Sequence, residues 1–275
     1  MAKKDAADSK KSAEATAEGE GTESRLAEDS NDIGLEPDHD HVARLCTTLE
    51  PLYNLSLFVC TLVAVVARFW MIHHPDEVVF DEVHFGKFAS YYLRGEYYFD
   101  VHPPLAKLVL ALVGHCVGYD GHFLFEKIGD SYTQNNVPYI AFRIWCATCG
   151  AAVVPVAFLI MKELGVSVIG CTLGALLLAF DNALVTQSRL ILLDSMLWLF
   201  CILAIYFWIR FRKLRHKSFS FAWWFWLATT GLGLAIVLGI KLVGLFTVAS
   251  IGIATIVDLW ELADIKRGLS FVPVI

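Results

Sequence analysis

Apolar residues in this chain come in long unbroken runs, and six of them are long enough to cross a bilayer. A span needs ~20 mainly apolar residues for ~30 Å of hydrocarbon. The stretches at about 51–71, 139–161, 167–187, 190–209, 223–240 and 243–260 qualify. The third and fourth nearly touch, which predicts a tight helical hairpin around Gln187-Ser188-Arg189. The expected fold class is therefore all-α, a polytopic helical bundle with one long loop at 72–138.

That loop carries its own pattern. Phe85, Phe88, Tyr92 and Leu93 recur at helical spacing with Lys87, Ser90 and Arg94 between them, so 84–94 reads as an interfacial helix. Pro103-Pro104 can open a second helix, and Leu105 to Val113 is apolar with Lys107 set into it. With Gly114-His115 and Gly118 following, this segment is too short to span and is expected to lie on or dip into the bilayer.

Charge sets the orientation. The run from Arg210 to Lys217 is the strongest basic loop and should be cytosolic by the positive-inside rule. Counting spans from it places 1–50, 162–166 and 261–268 on the same side, in agreement with Arg44, Lys162, Lys266 and Arg267. Loop 72–138 then lies opposite. Trp223, Trp224 and Trp226 form half an aromatic belt at the cytosolic end of the fifth span.

Composition agrees with a membrane protein: 56% of residues are hydrophobic and the mean hydropathy is +0.55. Residues 1–43 hold five Lys/Arg against twelve Asp/Glu, so the net charge of −6 belongs to an acidic tail. The tail, taken as 1–45, lacks aromatics and reads as disordered and cytosolic. It has no signal-peptide pattern, which leaves the first span as the targeting signal. No basic stripe follows a groove-sized element, which argues against a nucleic-acid partner. Cys146 and Cys149 match CxxC, but their helical spacing inside a span points to packing. Asn54-Leu55-Ser56 is a sequon by letter only, since it sits within a span.

The topology gathers unusual residues on the side of the long loop. Arg68 ends span one, Arg143 begins span two, Arg189 and Asp194 flank the hairpin turn, and Lys241 lies between spans five and six. Ionisable groups at span ends are costly unless paired or hydrated, so each is a functional candidate; for Arg68, interfacial snorkelling is the competing reading. Opposite them the loop carries Asp81, Glu82, His84, Asp100 and His102. Acids beside cations at a bilayer surface suit group transfer from a lipid phosphate. A carboxylate takes the proton of an incoming hydroxyl while Arg and Lys hold the phosphate.

The segment from Val79 to Phe88, with Asp81-Glu82, and the segment Asp100-Val101-His102-Pro103-Pro104-Leu105-Ala106-Lys107 resemble the first luminal loop of eukaryotic protein O-mannosyltransferases. So do Phe125 to Asp130, Ile191-Leu192-Leu193-Asp194 and Lys241 to Phe246; the likeness covers about 55–260. It is to the branch of yeast enzymes one and two and the animal second enzyme. The resemblance implies a GT-C type glycosyltransferase of the endoplasmic reticulum membrane, multi-pass with a cytosolic N-terminus. The implied donor is dolichyl phosphate mannose, and the implied acceptors are Ser/Thr hydroxyls of Ser/Thr-rich secretory polypeptides. A heterodimer with another protein O-mannosyltransferase is implied too. The family's catalytic pair maps onto Asp81 and Glu82, and its important arginines onto Arg68 and Arg143.

The reaction so implied inverts the anomeric centre, which fits one displacement with a single base. Asp81 is expected to be that base and Glu82 a positioning or acceptor-binding acid. Arg68, Arg143, Arg189, Asp194, Lys241, His102 and Lys107 are expected to bind lipid phosphate or acceptor. No metal or resident cofactor is assigned. Family members continue through further spans and a MIR module, so the body at 46–275 is expected to be part of a larger domain. Two other readings compete. A transporter would want broken helices or half-repeats and charges near the bilayer centre. A metal site could draw on His73, His74, Asp76, Glu77, Asp81, Glu82 and His84, against the plainer reading of interfacial polar residues.

Overall fold

The computed structural model describes residues 39–267. The chain divides into two units, Met1–Pro51 and Leu52–Ile275, and the packing below is that of the second. Most of the acidic tail lies outside the described residues, although α1 (His39–Phe69) already begins within its expected range. All regular structure among the described residues is helical, apart from one isolated bridge between Glu77 and Ser131.

After α1 come two short helices of the long loop, α2 (Glu82–Arg94) and α3 (Leu105–Cys116). Gly95 ends α2 at φ 69°, its N–H turned onto the last carbonyls of the helix, a conformation that favours glycine. Helix α3 starts directly after Pro103-Pro104, as the sequence predicts. The long apolar helices α4 (Tyr139–Glu163), α7 (Asp194–Lys213), α8 (Phe221–Ile240) and α9 (Leu245–Arg267) follow, with α5 (Val168–Phe180) and α6 (Asn182–Ser188) between α4 and α7.

Five helices among the described residues are long and apolar enough to span. The expected third span differs: α5 and α6 meet at a 55° bend, so a sixth crossing exists only if that bent pair is one broken span. The cause is local. Asp181-Asn182 favours a cap over a helix interior, and the Asp181 carboxylate accepts from Leu184 N–H at 2.8 Å to start α6 afresh. The turn expected at 187–189 accordingly falls after Ser188, in 189–193.

Two buried clusters hold these elements. One joins Cys60 and Ala64 of α1 to Val154 and Phe158 of α4 and Cys171, Ala175 and Ala179 of α5. The other docks the long loop on the bundle: Phe85 and Ala89 of α2 and Leu110 of α3 meet Phe142 and Cys146 of α4, Ile191–Leu193, and Val237 and Ile240 of α8. Helix α2 thus buries one face in protein. Cys146 and Cys149 are buried free thiols in this packing. Where α4 passes α6, a Cβ on Gly150 would lie 2.3 Å from Ser188 Cβ, so only glycine fits.

Candidate active site at the start of helix α2

Glu82, the first residue of α2, is fully buried and its carboxylate is saturated with donors. Arg143 of α4 donates through Nε to Oε1 at 3.0 Å and through Nη2 to Oε2 at 2.9 Å, a bidentate pair with neither side chain exposed. Tyr132 Oη donates at 3.0 Å, and the N–H groups of Val79 and Ile191 complete the set, each at 3.0 Å. Burial, with the Glu82 carboxylate beside it, pushes the Tyr132 phenol well above its usual range, so it remains a donor. Arg143 also donates to the carbonyls of Pro75 and Glu77 and stacks against Tyr132 and Tyr139. One acid thereby ties α2, α4, the 189–193 turn and the loop segments at Val79 and Tyr132 together. Tyr132 carries no motif that would have singled it out in the sequence.

Asp81, one residue earlier, is in the opposite state. It stands at the N-cap of α2 but makes no side-chain cap hydrogen bond; its backbone carbonyl receives His84 and Phe85 N–H instead. Its half-buried carboxylate has no hydrogen-bond or ion-pair partner among the described residues. Phe80 before it adopts φ 51°, a left-handed conformation costing about 1–3 kcal/mol that aims the chain into this cap.

Phe85 lies one turn along α2 from Asp81, on the same face. Its ring is 6.3 Å from that of His102 and 5.8 Å from Lys241 Nζ. Lys241 donates to both Asp194 carboxylate oxygens, at 2.8 and 2.9 Å, bridging the end of α8 to the start of α7. Arg189, partly exposed, donates to Met71 O at 3.1 Å and has no acidic partner among the described residues. Since Ile191 N–H is fixed on Glu82, the 189–194 segment carries Arg189 and Asp194 past the start of α2.

The remaining candidate cations are occupied by protein. Arg68 is fully buried and donates to the carbonyls of Ala64, Leu178 and Ala179, the last two freed by the break after α5. Lys107 is 2% exposed, donates to Asp100 Oδ2 at 2.6 Å and His102 O at 2.8 Å, and lies over the rings of Phe88 and Tyr98. Among the described residues no three His, Cys, Asp or Glu side chains assemble as a metal site.

The Lys107 pair fixes the 95–104 segment and with it His102. Burial alone would push the Asp100 carboxyl up, but donation from Lys107 and from backbone N–H groups of the segment outweighs it and holds the value below the ordinary one. A depressed carboxyl contributes stability above its unfolded value of ~3.9, and that contribution is lost as pH falls through the lower folded value. Lys107→Met should therefore cost about 1–3 kcal/mol, expose 95–104 to limited proteolysis and flatten the acid limb of the melting profile. An unchanged acid limb would separate Asp100 from this lock.

A helical bundle with a free acid, an ion pair and an arginine gathered where its spans end defines a polytopic membrane protein with a candidate site at one end of its bundle. The family model for dolichyl-phosphate-mannose-protein mannosyltransferase matches residues 58–272, and the chain belongs to that family. It is 52% identical over 218 residues to dolichyl-phosphate-mannose--protein mannosyltransferase 4 of Schizosaccharomyces pombe, covering 79% of this chain and 28% of the relative. Protein O-mannosyl-transferase 2 of Danio rerio is 43% identical, with 80% and 29% covered. The structure of the S. cerevisiae protein O-mannosyltransferase Pmt1-Pmt2 complex bound to the sugar donor matches with TM-score 0.72 and 38% identity, over 76% of this chain and 28% of that one. This supports the GT-C fold expected from the sequence. The chain spans under a third of the length of these relatives.

Proposed function

We propose that this chain carries the reacting centre for transfer of mannose from dolichyl phosphate mannose to Ser and Thr hydroxyls of polypeptides in the endoplasmic reticulum lumen. The acceptor oxygen attacks the anomeric carbon, its proton passes to Asp81, and the bond to phosphate breaks to release dolichyl phosphate with inversion. The observation that carries this reading is the contrast at α2: Glu82 is saturated by five donations while the adjacent Asp81 carboxylate has no partner among the described residues. Arg189 and Lys241 hold the phosphate, with Asp194 orienting Lys241, and His102 borders the acceptor. Arg143, Arg68 and Lys107 act through position: all three are buried and donate to protein groups, with Arg68 Nε alone of the Arg68 nitrogens lacking a partner among the described residues.

The N-terminus is cytosolic and the Asp81 end luminal on this reading. A second protein O-mannosyltransferase chain is the partner, as the yeast neighbour is itself a complex. Family relatives numbered four share more residues with this chain than those numbered one or two, which favours their branch over the one expected from the sequence. A broken helix such as the bent α5–α6 pair is a feature of transporters, but here Arg68 satisfies the freed carbonyls.

Membranes containing the protein should transfer labelled mannose from dolichyl phosphate mannose to a Ser/Thr peptide and yield an α-linked product. A β-linked product would contradict single displacement. A sequon inserted near Asn135 should acquire a glycan and one near Arg212 should not; the reverse pattern would put Asp81 in the wrong compartment.

A further inference from the structure

At the opposite end of the bundle, the basic run between α7 and α8 splits into two groups. Arg210 and Lys213 both pair with Glu163 of α4, at 2.5 and 2.6 Å, and Arg212 pairs with Asp258 of α9 at 2.6 Å. Those cations tie three helices together. Arg215 and Lys217, in the short 3-10 turn Arg215–Lys217, are exposed and have no acidic partner among the described residues. Beside them stand Phe219, Phe221 and Trp224, which are 74%, 87% and 53% exposed. Phe219 adopts φ 64°, a strained conformation for a residue with a side chain. An aromatic cluster at a span end fits the headgroup level of a bilayer, and free cations beside it meet the phosphates there.

We propose that Arg215 and Lys217, with Phe219, Phe221 and Trp224, form a binding site for the headgroup of an anionic phospholipid in the leaflet at this end of the bundle. The two cations engage headgroup charge, while the rings enter the interface and hold the turn at that depth. Arg210, Arg212 and Lys213 contribute less, since Glu163 and Asp258 hold them as helix ties and offset two of their three charges. The site lies at the end away from Asp81 and does not depend on the transferase reading.

The test is competitive lipid binding by the purified chain in detergent, followed by native mass spectrometry with phosphatidylserine and phosphatidylcholine of equal chain length. Wild type should favour phosphatidylserine by about fivefold for each free cation, and the preference should fall as salt rises. Arg215→Ala/Lys217→Ala should bring the ratio close to one. Lys87→Ala, on α2 at the other end, should leave it unchanged. Phe221→Ala should weaken both lipids together. A double variant that keeps the wild-type ratio would overturn the proposal. So would a wild-type preference that ignores salt, a readout that needs no variant to fold.

Discussion

Asp81→Asn should slow mannose transfer by about 10²–10⁴-fold, the range for loss of a general base, while melting as wild type does. The amide has the shape of the carboxylate but cannot take the hydroxyl proton. Stability should hold because the Asp81 side chain makes no cap bond that the change would remove. The docking of α2 rests on Glu82 and on Phe85 and Ala89, none of which is altered. Steady-state transfer and a thermal melt on one preparation check both halves. Loss of rate with a matching loss of melting temperature would make Asp81 a structural acid.

Glu82→Gln should do the reverse to the fold, costing about 3–5 kcal/mol. That is the range for removing one partner of a buried ion pair and leaving the other charge uncompensated. Gln can still accept from some of the N–H donors, but Arg143 stays 0% exposed with its counter-charge gone. Arg143→Lys should also destabilise, since an ammonium cannot span Glu82, Pro75 O and Glu77 O at once. A double change to Glu82→Leu/Arg143→Met should cost less than the two single losses combined, because it leaves no unpaired buried charge. Additive losses in the melt would mean that the two side chains act separately.

Much of the bundle was legible because span length is fixed by bilayer thickness, and the apolar runs that became α1, α4, α7, α8 and α9 carry that length in the sequence. The bend in the third run is invisible to hydropathy, which averages over Asp181, whose capping bond to Leu184 restarts the helix. Pro103-Pro104 and the Phe85–Leu93 periodicity announced α3 and α2.

Residue type and position make Asp81, Glu82, Arg143 and Lys241 candidates, but do not tell which charges cancel. Arg143 and Arg189 both read as cations at span ends. Only the fold separates them, since one is bidentate to Glu82 and the other reaches a backbone carbonyl with no acidic partner among the described residues. Lys107 and Asp100 are seven residues apart across a proline pair, and no helical spacing predicts their 2.6 Å contact.

In the proposed reaction Asp81 acts on the acceptor's proton while other residues hold the donor. Equilibrium binding of labelled dolichyl phosphate mannose to wild type and Asp81→Asn, measured beside single-turnover transfer at saturating donor, tests it most directly. Donor affinity should be the same in both, with transfer slowed by about 10²–10⁴-fold in the variant. Weakened donor binding with an unchanged rate at saturation would contradict it.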